Sequence, residues 1–408
     1  MAAARRPRIA ITGIGAVSGY GAGVETLWRG LLSGVSAIRE ITRFDPGRHR
    51  THSASEVPAE AVPPPPFRGA SLADRFALAA LAEALAGAGL PAGFAGREAG
   101  VYFGCSTGGT FETERFHEEL TGGGGRPRLH WLVSHQTSGP GDAVARACGA
   151  TGPVTTISSA CASATLALGG ALDDLATGAV DVAVTGGADA LCELTFAGFN
   201  SLRAVDPVAC RPFRAGREGM TIGEGAAILI LEREEDARRR GARPLARLLG
   251  AGASCDAHHM TAPDPSGQGI RRAIEATLAD AGVPPGRIDF VNAHGTGTPL
   301  NDAAEAAALA MVFGERLARL PVTSTKGAIG HFLGSAGAVE AVATVLCLGA
   351  RLVHPTPGGG EVDPAGPVDL VLGAPRPLPA GAVALSTNFA FGGSNGAVVL
   401  AGVAEEEG

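Results

Sequence analysis

The chain has 408 residues, 45% hydrophobic and 18% charged, with a formal net charge of −7. That length and composition fit a globular protein of two or three domains with a large core. The acidic balance argues against a general nucleic-acid binder, and no run of about 18 or more residues reads as a membrane span.

The N-terminal MAAARRPRIAITGIG carries basic residues but no sustained apolar region, so no signal peptide is expected. RIAITGIGAVS reads as a buried strand closed by a Gly-rich turn, and Leu27 to Leu32 as helical. Its glycines approach a dinucleotide fingerprint. The pattern is GxGxxS, however, and the acidic residue expected about 20 positions on is missing, so no nucleotide site is expected. Residues 58–69, with PPPP inside, read as an extended linker, and Ala70 to Ala88 as an Ala/Leu helix. Gly100 to Gly104 is a short strand ending in the small-residue turn CSTGGT, and Gly122 to Gly125 a flexible loop. Thr155 to Ile157 reads as a strand, Ala162 to Thr177 as a helix, VDVAVTGGADA as a second buried strand and Gly225 to Glu232 as a third. A charged helix start, EREEDARRRGA, follows.

Near residue 246 the pattern begins again. ARLLGAGAS repeats the strand-Gly-x-Gly logic of ITGIGAVS. Gly269 to Ala281 is helical, IDFVNAHGTGT runs from a strand into a Gly/Thr turn, and ALSTNFAFGGSNGAVVL is strand-turn-strand. Alternating strands and helices imply α/β layers, and the restart points to two similar halves.

The seven cysteines, at 105, 148, 161, 192, 210, 255 and 347, form no CxxC pair or zinc spacing. Reduced thiols in a cytoplasm are expected rather than a disulfide framework. Cys161 lies between small residues at a strand-to-helix junction. It reads either as a small hydrophobe filling a corner or as a nucleophile at a helix N-terminus. Lys326 is the single lysine among 33 Lys and Arg residues, in an uncharged stretch. An ammonium and a guanidinium are not interchangeable at a tight site.

Four segments share one design: a β-rich run breaks into a small-residue turn carrying one chemically able side chain. They are SSACASA (Cys161), NAHGTGTPLND (His294), TSTKGAIGHFLGSAGAVE (Lys326, His331, Glu340) and STNFAFGGSNG (Phe391). In open α/β sheets, sites form at the C-terminal strand ends. These segments, with ITRFD, CRPF, REGMTIGEGAAILILE and DAHHMTAPDP, make the chain resemble the elongating β-ketoacyl-acyl carrier protein synthases of the thiolase superfamily over nearly its whole length.

The resemblance implies a thiolase-like α-β-α-β-α five-layered sandwich, with one half over residues 1–245 and the other over 246–408. It implies decarboxylative condensation of an acyl group with malonyl-acyl carrier protein, in fatty acid or polyketide elongation. Cys161 would be the acyl-carrying nucleophile, its thiol pKa lowered by the helix N-terminus. Backbone N–H groups of Cys161 and Phe391 would form the oxyanion hole. His294 and His331 would hold the malonyl-derived enolate, with Lys326 organising the site electrostatically and Glu340 as its partner. Thr296 and Thr298 would bind the phosphopantetheine arm. Phe391 would gate the acyl pocket, and Thr261 and Ser106 would line it.

Departures from the family bear on substrate. Ser106 stands where a bulky aliphatic is common, Gly327-Ala328-Ile329 where Ser-Met-Thr is common, and Arg214 where Asp often follows RPF. An acidic acyl carrier protein is the expected partner, met by a local basic patch for which Arg203, Arg211, Arg214 and Arg272 are candidates. A homodimer or a heterodimer with a ketosynthase-like subunit is expected, with no nucleic acid or membrane partner. No metal and no organic cofactor is expected, although the family allows a structural monovalent cation near Glu340 and Asn388. A heterodimer's active subunit and an inactive chain-length-factor-like subunit are the alternatives, and such inactive subunits typically lack the cysteine. A degradative thiolase would want a second catalytic cysteine near the C-terminus, and Cys347 lies in an apolar helix-like run. Initiating enzymes use Cys-His-Asn, whereas the GHFLG turn favours Cys-His-His.

Overall fold

The computed structural model describes residues 6–90, 93–94, 96–122 and 126–403. Most of the Gly122–Gly125 loop lies outside the described residues, as does the acidic C-terminal tail. Ten strands carry the architecture: β1 (Ile9–Ser18), β2 (Ala99–Gly104), β3 (Val154–Ile157), β4 (Val182–Asp189), β5 (Gly225–Arg233), β6 (Ala246–Cys255), β7 (Phe290–Asn292), β8 (Pro321–Thr323), β9 (Val383–Phe389) and β10 (Ser394–Gly402). They form one continuous sheet in the order β8-β7-β9-β10-β6-β1-β5-β4-β2-β3.

Read outward from the β1·β6 junction, each half has the same strand order: first, fifth, fourth, second, third. The directions repeat as well. β2 runs parallel to β3 and β4, while β5 is antiparallel to β4 and β1. In the second half β7 runs parallel to β8 and β9, and β10 is antiparallel to β9 and β6.

Helices complete five layers. α1 (Leu72–Gly87) and α2 (Gly139–Cys148) cover the outside of the first half, and α5 (Gln268–Ala281) with α6 (Pro299–Phe313) the outside of the second. Between the halves lie α3 (Ser163–Thr177) and α7 (Ala336–Ala350), each packed on strands of both. A helix buried on all sides must be apolar nearly all round, and α7, AGAVEAVATVLCLGA, is so except for Glu340 and Thr344, both of which have partners. The run Leu333–Ala350 is long and apolar enough to cross a membrane, contrary to the expectation of no such run, but 83% of it is buried inside the fold.

The repeated Gly-x-Gly now has a physical cause. A Cβ on Gly15 would stand 1.9 Å from Ala80 O of α1, and one on Gly250 would stand 2.4 Å from Ala281 N of α5. Each half's first strand lacks side chains there so that its outer helix can sit directly on the sheet. α1 starts with a capping box, Ser71 accepting from Asp74 N while Asp74 accepts from Ser71 N.

The 58–69 segment holds one short 3-10 turn, Ala59–Ala61, and is otherwise irregular. Among the described residues, five helices lie outside the sequence expectations: Thr110–Thr121, α2, α4 (Glu193–Ser201), α6 and the single turn Lys326–Ile329. The first buries only Glu112, so no apolar stripe marks it. α6 follows a Gly/Thr turn yet has an N-cap, Thr298, and Pro at its first position.

In both halves the third strand leads through a short connection into a central helix. Cys161 lies in the first connection, and Lys326 and His331 lie in the second. His294 follows β7, and Ser106 follows its counterpart β2.

Candidate active site

Cys161 is presented by a strained turn. Ala160, a non-glycine residue, is held at φ +43°, a conformation that costs energy and needs anchoring. The anchors are local: Ser163 Oγ donates to Ala160 O (2.6 Å) and accepts from Ser159 N (2.8 Å). A cavity of about 330 Å³ opens at Cys161 and is lined also by His294, His331, Thr296, Thr298 and Phe391. Thr261 lies on its wall too.

The two histidines face the thiol. His331 Nε2 is 3.0 Å from Cys161 Sγ, although 170 positions separate them. The His294 and His331 rings meet edge to face, with centroids 5.3 Å apart. The backbone fixes the tautomer of His331: Leu333 N donates to its Nδ1 at 3.0 Å. That nitrogen is an acceptor, so the neutral ring carries its proton on Nε2. Asn388 does the same for His294, its Nδ2 lying 3.3 Å from Nδ1. The amide cannot be flipped, because Nδ2 also donates to Glu340 Oε2 (2.7 Å) while Oδ1 accepts from Thr165 Oγ1. Burial, and then the Lys326 ammonium, hold both imidazoles well below their ordinary pKa, so they are neutral at pH 7. Two neutral N–H donors therefore point into the space beside Cys161.

Cys161, His294 and His331 have the composition of a metal site, their donor atoms lying within 4.8 Å of one another. The tautomers argue against that use. A metal would need the Nε2 lone pairs, and moving each proton to Nδ1 would set it against Leu333 N–H or the Asn388 amide.

Lys326 and Glu340 lie beneath the histidines, each 1% exposed, joined in a buried ion pair. The pair charges the floor of the site without reaching the cavity wall. Burial pushes the Glu340 carboxyl up, and Lys326 pulls it back.

The thiol departs from expectation. Burial pushes Cys161 up to about 12, with Glu340 adding to the rise. Lys326 and the backbone N–H groups of Cys161 and Phe391 act the other way. The expected net lowering by the helix N-terminus is not found, because desolvation of the thiolate outweighs the positive groups around it. Those two N–H groups do converge on the sulfur.

Thr296 Oγ1 and Thr298 Oγ1 lie 2.9 Å apart on the cavity wall. Ser106 is not in this cavity. It borders a separate depression with His135 and Gln136, its N held by Asp189 Oδ1 (2.8 Å) and its Oγ 3.5 Å from Ala160 O. It thus lies on the Ala160 side of the Cys161 turn, outside this cavity.

Sequence reasoning missed three carboxylates that fasten the turns. Glu305 accepts from His294 N (2.9 Å), Gly295 N (2.8 Å) and Thr387 Oγ1 (2.9 Å), and burial pushes it up to about 7. Asp302 accepts from Gly297 N and Phe213 N. Asp189, at the end of β4, gathers N–H groups from Ser106, Thr107 and Ser335, tying the two halves together behind the site. The signal for Glu305 and Asp302 was the acidic pair in NDAAEAA, directly after the Gly/Thr turn.

Comparison with known proteins agrees with this architecture. The family profile described as Beta-ketoacyl synthase, N-terminal domain, matches residues 6–237, and the corresponding C-terminal domain matches 245–359. The 3-oxoacyl-[acyl-carrier-protein] synthase 2 of Staphylococcus aureus (strain COL) is 35% identical, covering 96% of this chain and 98% of its own. The solved structure "The ishigamide ketosynthase/chain length factor" superposes with a TM-score of 0.91 at 35% identity, covering 98% of this chain and 100% of that one. A type II PKS acyl-carrier protein in complex with its ketosynthase bound to the hexaketide gives 0.89 at 30% identity, covering 98% and 100%. A duplicated five-layer fold, a cysteine facing two histidines, and profiles matching both halves lead to one assignment: the chain belongs to the beta-ketoacyl synthase family.

Proposed function

We propose that the chain catalyses decarboxylative Claisen condensation of an acyl group with malonyl-acyl carrier protein, giving the 3-oxoacyl-acyl carrier protein. The observation that carries this is the pair of neutral Nε2–H donors set beside the Cys161 thiol.

The Cys161 sulfur attacks the carbonyl of an incoming acyl thioester. The tetrahedral oxyanion is held by the N–H groups of Cys161 and Phe391, and the carrier thiol leaves with the proton. Malonyl-carrier then enters past Thr296 and Thr298. Its carboxylate carbon–carbon bond breaks, carbon dioxide leaves, and the electron pair moves to the thioester oxygen as an enolate. That oxygen accepts from His294 Nε2–H and His331 Nε2–H, which suit it because neither ring need lose or gain a proton. The enolate carbon attacks the acyl-Cys161 carbonyl, a carbon–carbon bond forms, and the Cys161 thiolate is expelled. Lys326 favours that thiolate, and Glu340 holds Lys326 in place. Electrons and atoms balance without a redox or metal cofactor. The phosphopantetheine belongs to the carrier substrate.

A second reading is that this is the active subunit of a heterodimer with a chain-length-factor-like partner. The likeness to the ishigamide ketosynthase/chain length factor favours it. The inactive-subunit alternative sits poorly with the presence of Cys161, His294, Lys326 and His331 together. A cytoplasmic location suits seven free thiols, Cys255 among them exposed.

Intact-protein mass spectrometry with acyl-carrier protein tests the central claim. The wild type should gain one acyl mass and Cys161→Ala none. His294→Ala should still acylate while losing malonyl decarboxylation by at least about a hundredfold. An adduct on Cys161→Ala would remove the nucleophile from this mechanism. Light scattering of the chain alone and with a candidate partner would separate homodimer from heterodimer.

A further inference from the structure

His354 is a fully buried histidine that the condensing chemistry leaves unused, and it lies outside the catalytic cavity. Burial holds its ring at about 4, so it is neutral at pH 7. Its Nδ1 lies 3.0 Å from Pro355 O and 3.3 Å from Thr323 Oγ1, and its Nε2 lies 3.3 Å from Thr325 Oγ1. Whichever nitrogen carries the single proton, Nε2 pairs with the Thr325 hydroxyl, as donor or as acceptor. Thr325 directly precedes Lys326 and takes the N-cap position of the short Lys326–Ile329 helix. An N-cap threonine ordinarily accepts from an N–H of the first turn. The Thr325 side chain makes no such bond. It turns sideways instead, toward His354 and toward Asn292 Oδ1 at 3.2 Å.

Asn292, the last residue of β7, carries the line on. Its Nδ2 donates to Glu340 O (3.1 Å) and Thr344 Oγ1 (3.2 Å) on α7, which fixes the amide and leaves Oδ1 facing Thr325. The line His354–Thr325–Asn292 therefore meets both members of the buried ion pair, Lys326 as the residue after Thr325 and Glu340 through its carbonyl. The segment that carries His354 is itself held. Ser324 N donates to Thr356 Oγ1 (2.9 Å), while Ser324 Oγ donates to Gly295 O (2.7 Å), next to His294. Arg214, considered from sequence for a carrier-facing basic patch, is only 3% exposed and donates instead to Gly358 O and Gly360 O, at 3.1 Å each. Supports locked in this way are what keep a charged group at its working position.

We propose that His354 is a positioning residue for the condensing reaction, holding Lys326 through Thr325, and Glu340 through Asn292, in register with Cys161. The inference rests on the reaction proposed above. Lys326 is the largest influence favouring the Cys161 thiolate, and attraction between charges falls with distance. A Lys326 turn released at Thr325 therefore acts less strongly on the sulfur.

Variants that separate the two ring nitrogens test this. His354→Asn keeps a polar atom near the Nδ1 position and cannot reach Thr325, whereas the longer amide of His354→Gln reaches the Nε2 position. In His354→Asn, iodoacetamide labelling of Cys161 at pH 8 should slow roughly threefold, with its rate profile displaced to higher pH. The kcat for malonyl-carrier decarboxylation should fall roughly tenfold, with KM within about twofold. His354→Gln should recover most of both. Thr325→Val, which keeps the side-chain shape, should reproduce the His354→Asn profile, and adding His354→Asn to it should cost nothing further. Thr325→Val also carries the test if His354→Asn does not fold. Equal behaviour of the Asn and Gln variants, an unchanged labelling profile in Thr325→Val, or additive effects in the double variant would overturn the assignment. Labelling needs no turnover, so it reads the role of His354 even if the condensing reaction is refuted.

Discussion

At the scale of single residues, the site solves a conflict between burial and reactivity. The proposed mechanism needs Cys161 buried to exclude water from its thioester, yet burial lifts the thiol to about 12. Lys326 is the largest opposing influence, and Glu340 keeps that ammonium in place while itself pushing the thiol upward. Removing Lys326 alone would leave Glu340 buried and uncompensated, at about 3–5 kcal/mol. The informative variant is therefore the double one, Lys326→Met with Glu340→Gln. It loses the pull of Lys326 and the smaller push of Glu340, so the thiol pKa rises further. At any pH below that pKa the thiolate fraction falls tenfold for each unit of rise. Iodoacetamide labelling of Cys161 at pH 8 should therefore slow by roughly tenfold, with the rate profile displaced to higher pH. An unchanged profile would mean that Lys326 does not act on the sulfur. Residue chemistry at this site was partly legible in sequence. Cys161, His294, Lys326 and His331 stand out because each interrupts a run of small or apolar residues. The groups that set the histidine tautomers were not legible. Leu333 acts through its backbone N–H, whose direction depends on a φ of +53°, and Asn388 lies in a strand where its side chain gives no periodic signal. Ser106, expected from family position along the acyl pocket, borders a depression separate from the Cys161 cavity, its N–H held by Asp189.

At the scale of elements, legibility followed burial. β1, β4 and β5 are buried almost throughout, so they read as continuous apolar or small-residue runs. The repeat at Ala246 was visible because the same steric demand, an outer helix resting on the first strand, imposes the same glycine spacing twice. Thr110–Thr121 was invisible because its stabilising contacts leave no stripe, and α6 because a Gly/Thr turn masked its start. The glycine argument gives a direct prediction. Gly15→Ala places a methyl 1.9 Å from the Ala80 carbonyl, a group in the α1 backbone that cannot swing aside. The helix must lift from the sheet, an overpacking cost of about 1–3 kcal/mol or more. Urea unfolding should show a lower midpoint with an unchanged slope, since the surface exposed on unfolding is the same. Gly349→Ala, in α7, meets nothing within 4 Å and serves as the control. Equal midpoints for the two variants would show that close approach is not what the Gly-x-Gly serves.

At the scale of the whole molecule, the duplication is what assembles the chemistry. Each half contributes the connection between its third strand and its central helix. The first brings the thiol, and the second brings His331 and Lys326. The two central helices are shared: α3 touches β6 and β10 of the second half, and α7 touches β4 and β5 of the first. One apolar cluster accordingly mixes residues of both halves, Leu168 and Leu172 with Val339 and Val342. Neither half can then bury its own central helix alone. An isolated 246–403 fragment would leave much of α7 uncovered, a large apolar patch of the kind that drives association. We expect such a fragment, and its 6–245 complement, to aggregate or bind a hydrophobic dye when expressed singly, and the intact chain to unfold in one cooperative step. Hydrogen exchange gives the sharpest form of the test, because sub-global openings would release one half's amides before the other's. If α3 and α7 share the highest protection and lose it together, the halves are one folding unit and the active site exists only when both are formed. Earlier exchange of β7, β8 and α7 as a group would instead make the second half a separable domain. His331 and Lys326 would then leave Cys161 in partly unfolded states, and acyl transfer and global stability would part company in destabilised variants.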